Sequence, residues 1–185
     1  TLLALISIFV LSQNPKSPAN LGFFIVCLSS CVWLYGISLV YCSRSESLAL
    51  GWYKYFTFLG VACIAPSIHF FSTAWVGSLK ERKGVIFLGC LGALAFYLSS
   101  ALTDYGIVGM RQYFWGFYPI YGPIAKTFLV FFTFYYGLGL WTFTIGRSRE
   151  IRPQFRKQYE YLIAAYLVTF FGACDFIPKL IPFSL

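Results

Sequence analysis

The sequence predicts an all-α protein, a polytopic transmembrane helical bundle with about six spans present of seven. Three observations carry that expectation. Of the 185 residues, 59% are hydrophobic and only 11% are charged, whereas a soluble domain is about half apolar and about a quarter charged. The mean hydropathy is +0.73, and too few charges exist to coat a globule, so apolar side chains must face lipid. The apolar residues also fall into runs of roughly 20, the length that crosses a bilayer, separated by short polar or basic segments. The whole of residues 1–185 reads as a single membrane-embedded domain, cut at both ends.

The elements follow in order. Residues 1–12 (TLLALISIFVLS) are apolar but too short to span, and read as the second half of a first helix. Residues 13–20 (QNPKSPAN) form a loop, because Pro15 and Pro18 interrupt helices and Asn20 can cap the next one. The second span is 21–41, followed by a short polar connection over 42–51. The third span, 52–76, has Trp52, Tyr53 and Tyr55 at one end and Trp75 at the other as interfacial anchors. Pro66 predicts a kink there, with Ser67 or neighbouring backbone taking up the freed carbonyl. A tight basic turn over 78–83 (SLKERK) leads to the fourth span, 84–102, whose Gly89, Gly92, Ala93 and Ala95 offer a smooth strip for close helix contact. The longest connection, 104–123, is dense in aromatics, Gly and Pro. The fifth span is 124–146, with Gly137 and Gly139 for packing, and the sixth is 158–174. Residues 175–185 (DFIPKLIPFSL) then leave the membrane.

Charge sets the expected orientation. Lys16, Lys80, Arg82, Lys83, Arg147, Arg149, Arg152, Arg156 and Lys157 lie on one side, nine in all, against Arg44, Lys54, Arg111, Lys126 and Lys179 on the other. Basic loops are retained in the cytoplasm, so the loops around 16, 80–83 and 147–157 are expected inside and Leu185 outside. The stretch RSREIRPQFRK contributes most of this bias. The formal net charge of +8 is explained by such loops beside anionic headgroups. Nucleic acid is not an expected partner, since no basic face with interleaved aromatics exists outside the loops.

Six cysteines are present. Cys27, Cys31, Cys63, Cys90 and Cys174 fall within apolar runs and Cys42 at the end of one, as small buried hydrophobes do. Cys27 and Cys31 share a helix face, but no CxxC, His or carboxylate accompanies them, so neither metal nor cofactor is expected.

Ionisable and aromatic groups near the spans are the candidate ligand-binding residues. His69 is the only histidine; near mid-span beside Pro66, it reads as a ligand-contacting or proton-sensing group, or as a histidine bonded to a neighbouring helix. The run Tyr113–Tyr121 (YFWGFYPIY), with Trp115, Tyr118 and Tyr121, could form an apolar lid over a bundle cavity or lie in the headgroup layer. Asp104 and Arg111 could pair within the long loop. Lys126 could snorkel to the surface or face Asp175 across the bundle mouth and close a ligand vestibule. Glu160 is expected to meet Arg156 one turn away.

The strings GFYPIYGPIAKTFLVFFTFYYGLGLW and RSREIRPQFRKQYEYLIAAYLVTFFGACDFIPKL resemble the N-terminal seven-transmembrane sensor region of bacterial histidine kinases. The similarity lies in a Gly-Pro loop leading into a span and a basic loop after it. The next span opens on Arg156, Lys157, Gln158, Tyr159, Glu160 and Tyr161, and an outer loop carries Gly172, Asp175, Ile177 and Pro178. NPKSPAN and the run around Pro66, His69 and Phe70 are also similar. The resemblance implies a signal-input module in a bacterial cell membrane, placed before PAS, kinase or GGDEF output domains, with a seventh span beyond Leu185. It implies partners in the lipid bilayer, in a kinase or PAS output domain of the same parent chain, in a small ligand, and in a second copy as a homodimer. No ATP-binding motif, phospho-accepting His or phosphate loop occurs in these residues, so this segment is not expected to be an enzyme. The alternatives are a small multipass carrier or membrane-embedded enzyme, which would need paired ionisable groups at mid-membrane depth, and a purely structural membrane subunit.

Overall fold

The computed structural model describes residues 2–173. It is mostly helical, and helices form where the six apolar runs were expected. Four of these segments are long and apolar enough to cross a membrane: Pro18–Tyr41, Glu46–Val76, Leu79–Leu102 and Ile124–Arg149. Helix α1 (Leu2–Gln13) is shorter. Helix α7 (Pro153–Ala173) carries Arg156, Lys157 and Glu160 in its first turns, which shortens its apolar part. Leucine, isoleucine and phenylalanine side chains stand exposed along these helices, as suits a surface solvated by hydrocarbon.

Helix α2 (Pro18–Tyr41) begins earlier than residue 21 because Pro18 sits at its first position, where the missing N–H costs nothing. Its cap is Ser17, whose hydroxyl accepts from the Asn20 N–H at 3.4 Å. Asn20 is therefore not the cap. Its amide Nδ2 donates instead to Val10 O at 2.9 Å, tying α1 to α2.

A continuous rod follows. Helix α3 (Glu46–Gly51) is capped by Ser45, passes into a π-helical turn (Trp52–Thr57) and continues as α4 (Phe58–Val76). The Thr57 hydroxyl donates to Trp52 O, five residues back, at 3.2 Å, which supports the wider turn. The turn places Tyr53, Lys54 and Thr57 all in buried positions. Lower in α4, Pro66 removes one rung of the ladder. The Ser67 hydroxyl bonds Ile64 O at 2.7 Å, rather than the carbonyl four residues before the proline. Gly77, at φ 80°, ends the helix in the left-handed conformation that glycine adopts without penalty.

The basic stretch 78–83 is not a turn. Helix α5 (Leu79–Leu102) starts at Leu79, so Lys80, Arg82 and Lys83 belong to its first turns. The long aromatic connection is also ordered differently from the sequence expectation. It is an antiparallel hairpin of β1 (Ile107–Tyr113) and β2 (Gly116–Tyr121), pairing Tyr113 with Gly116 around a Phe114–Trp115 loop and carrying an irregularity between Ile107 and Gly109. Burial alternates along β2, where Phe117 and Pro119 turn inward and Ile120 stays exposed, whereas in β1 the inward Ile107 and Met110 stand on either side of the irregularity. Helix α6 (Ile124–Arg149) and α7 complete the described fold.

The rod is the centre of the bundle. Helices α2, α5 and α6 pack on α4, α1 packs on α2, and α7 packs on α6. The core joins Phe58, Val61, Ala62, Ala65, Ile68 and Phe71 of α4 to Phe128, Phe132, Tyr135, Tyr136 and Phe143 of α6. Gly89 and Gly92 do not bring backbones together; each makes room for a ring of α6, Tyr135 and Phe131 respectively. Gly139 packs on Ile68, whereas Gly137 has open space around it.

Candidate functional site

The two ends of the rod differ in chemistry. At the hairpin end, Tyr53 of the π turn shares a 2.7 Å hydroxyl–hydroxyl hydrogen bond with Tyr121 of β2, their rings edge to face at 6.4 Å. The adjacent Lys54 ammonium donates to Asp104 Oδ1 at 2.7 Å and to Thr103 O at 3.2 Å. Asp104 therefore pairs with Lys54 and not with Arg111. The pair is lopsided, because the lysine side chain is 10% exposed and the aspartate 81%. A third tie runs from the Met110 N–H to Glu46 Oε1 at 3.3 Å. The hairpin is thus fastened to the rod through Glu46, Tyr53 and Lys54. Its base is closed by Gly122 N–H to Gly106 O, 2.9 Å, and Ile124 N–H to Tyr105 O, 3.2 Å.

The hairpin tip reaches the end of α2, where a Cβ on Gly116 would stand 3.0 Å from Tyr41 Cα. Trp115 stacks on Tyr113 at 4.7 Å and 7°, Phe114 is 96% exposed, and the Arg111 guanidinium lies 5.6 Å from the Tyr113 ring centroid. Exposed amphipathic rings and a cation are of the kind favoured in a headgroup layer. Tyr118 stands edge-on to Tyr113 at 6.3 Å, and Tyr121 is drawn inward to the rod.

His69 lies elsewhere. It is fully buried in α4, edge-on to Tyr135 at 5.9 Å, and neither ring nitrogen has a hydrogen-bond partner. Its own carbonyl accepts from the Ser72 and Thr73 hydroxyls at 2.9 and 2.6 Å. Between Tyr53 and His69 the rod rises about 24 Å at 1.5 Å per residue. The sequence-derived ligand residues therefore do not form one site. Trp115, Tyr118 and Tyr121 share the hairpin, and His69 is deep in the bundle. Lys126 is exposed on the first turn of α6, and Asp175, its expected partner, lies outside the described residues.

At the basic end, Arg82 of α5 donates to Thr142 Oγ1 of α6 at 2.9 Å, a cross-helix tie with no counterpart among the sequence expectations. Glu160 does not pair with Arg156. Arg147, at the end of α6, donates to Glu160 Oε1 through Nε at 3.0 Å and a terminal nitrogen at 2.7 Å, clasping α6 to α7. In the intervening loop Arg152 donates to Glu150 by its side chain at 2.9 Å and its backbone N–H at 3.1 Å. Those hydrogen bonds hold the Glu150 carboxyl below its ordinary value.

Among the described residues, two of the apolar hollows lie against the rod. The larger, about 550 Å³, runs between α2 and α7 over a floor of Val61, Ile64, Ile68 and Phe132. Tyr136 on its wall bonds Tyr166 O at 2.5 Å and the Thr169 hydroxyl at 2.6 Å. The smaller, about 380 Å³, opens between α2 and α5 over Pro66. Among the described residues no group of three or more His, Cys, Asp or Glu could hold a metal ion. No known protein family, curated protein or solved structure matches the chain.

Proposed function

We propose that the chain is the signal-input part of a bacterial membrane sensor, of the kind that precedes a histidine kinase or related output domain. In this reading the hairpin end faces outward, and the basic loops face the cytoplasm. The observation that carries it is the rod Glu46–Val76. One element is tied to an exposed aromatic hairpin at one end and packs at the other against helices clasped by Arg82–Thr142. It contains two places where the α-helical ladder is altered, the π turn and Pro66. π turns recur at functional sites. Such a rod can pass a displacement at the hairpin to the basic end, provided the two arrangements differ in their affinity for the stimulus.

The test is mechanical. Spin labels introduced as unnatural amino acids at Lys83 and Arg149 report the spacing of α5 and α6 at the basic end, in lipid nanodiscs. Releasing the far clasp with Y53F and K54M together is expected to shift that distance distribution. An unchanged distribution in folded protein rules out transmission along the rod.

A proton-coupled carrier or membrane-embedded enzyme is the second reading, favoured by one observation: the fully buried His69 has two unpartnered ring nitrogens. It predicts solute flux or turnover in sealed proteoliposomes that H69A abolishes. The sensor reading predicts no flux in either protein.

A further inference from the structure

We propose that the cleft between α2 and α5 is a binding site for one hydrocarbon chain of a membrane lipid, seated against α4 at Pro66. The cleft exists because α2 and α5 each pack on α4 without packing broadly on one another. Small side chains, Ser67 of α4 and Cys90 and Ala93 of α5, hollow it out between the larger walls of Ile25, Phe70 and Tyr97. Its volume of about 380 Å³ falls in the range of small-molecule sites, roughly 300–1,000 Å³.

Depth and chemistry select the occupant. Pro66 is near the middle of α4 and Cys90 near the middle of α5, so the cleft lies at the level of the acyl chains. Water is absent there, and an unfilled apolar hollow forfeits dispersion contacts along its whole lining. The wall offers no polar recognition. The Ser67 hydroxyl is engaged by Ile64 O, and the Tyr97 hydroxyl donates to Tyr55 O at 3.2 Å. A headgroup would find no partner, whereas a plain acyl or prenyl tail needs none. The chain's contact with Pro66 falls where the α4 ladder already lacks a hydrogen bond.

The full chain in nanodiscs of phosphatidylcholine, doped with a phosphatidylcholine bearing a diazirine on its acyl chain, provides the test. After photolysis, adducts are mapped by mass spectrometry. Adducts are expected to concentrate on residues 63–70 and 86–94, above the level on Val130 and Phe134, which are exposed on α6. The cleft-filling variants A93F and C90W are expected to lose the cleft adducts while retaining those on α6. Cys90 is exposed, so C90W keeps the test decisive if A93F fails to fold. Equal labelling of cleft and α6, meaning annular lipid only, overturns the proposal. So does labelling that survives filling, or a protein–protein crosslink at the cleft showing that a second copy covers it.

Discussion

Replacing Gly60 by alanine puts the α2–α4 packing to a quantitative test. A Cβ at this position would stand 2.5 Å from Trp33 N and 2.7 Å from Ser29 O, both backbone atoms of α2. Neither can swing aside as a side-chain tip could. Non-bonded heavy atoms settle near 3.5 Å or beyond, so α4 and α2 must part by about 1 Å, and a gap of that size forfeits a quarter to a half of each contact well. Overpacking of this type costs about 1–3 kcal/mol. Alanine also gains up to about 1 kcal/mol over glycine in helix propensity. G137A supplies the reference, because nothing lies within 4 Å of a Cβ at Gly137 and only the propensity gain applies. The difference between the variants therefore isolates the contact at about 1–3 kcal/mol. Unfolding in mixed micelles of increasing denaturing detergent, followed by tryptophan fluorescence, measures it, and Trp33 lies at the strained contact. G60A unfolding at the same detergent fraction as G137A would show that the two backbones do not meet there.

Other expectations can be checked alongside. D104A should destabilise the chain by up to about 3 kcal/mol, because it leaves the buried Lys54 ammonium with Thr103 O as its remaining partner. K54M should cost less, since the aspartate it abandons is already in solvent; the reverse order in chemical unfolding would contradict the lopsided burial. H69L should leave stability unchanged or raise it by about 1–3 kcal/mol, as two unsatisfied buried nitrogens are removed; a loss of that size would mean the imidazole has a partner in the membrane. For Glu150, a lowered folded value means its contribution to the loop is complete above its ordinary value of 4.5 and fades as pH falls through the depressed folded value. NMR titration should place this carboxyl below 4.5, and R152Q should raise it part of the way back, since the backbone N–H of residue 152 still donates to it. Trp115 fluorescence should be quenched more by lipids brominated near the headgroup than at the chain end, and the opposite ranking would move the tip out of the interface.

The helices were legible in the sequence because their signal is collective: a run of twenty apolar residues survives any single misreading. Local punctuation was less so. Ser17 and Asn20 are both good capping residues, and only Pro18, fixed at the first helical position, decides between them. The hairpin was hidden by its composition, since Gly and Pro mark loops while the inward Ile107, Met110 and Phe117 carry the strand pattern. The period-two pattern of β2 was available in the sequence, whereas the irregularity of β1 broke it there. The partners of Lys54, Glu160 and Arg82 were not available. Each reaches a residue on another element, 50, 13 and 60 positions away in the chain, and sequence spacing gives no distance between elements. The same limit separated His69 from the aromatic run, as both are features of one apolar pattern until the axial rise places His69 some 24 Å from Tyr53, to which Tyr121 of the run is bonded.

That separation bears on what the rod can do. A ligand bound at the hairpin cannot touch His69, so any influence must travel through α4 itself. Phe58, Val61, Ala62, Ala65 and Ile68 are buried in the core, and a packed helix face resists compression, which favours displacement of the rod as a body over deformation along that face. Deformation, where it occurs, should concentrate where hydrogen bonds are fewest or altered. Those are the π turn, which bears two of the three hairpin ties, and Pro66, against which the α2–α5 cleft opens. Converting the π turn to regular helix by deleting one of its residues would rotate everything before it by about 100° relative to α4. Tyr53 and Lys54 could then no longer both reach Tyr121 and Asp104. If the chain without Phe56 still folds and still holds the hairpin, as read by protection of the Gly122 amide from hydrogen exchange, the π turn is not what couples hairpin to bundle. Loss of that protection with the helical core intact would place the coupling in those six residues.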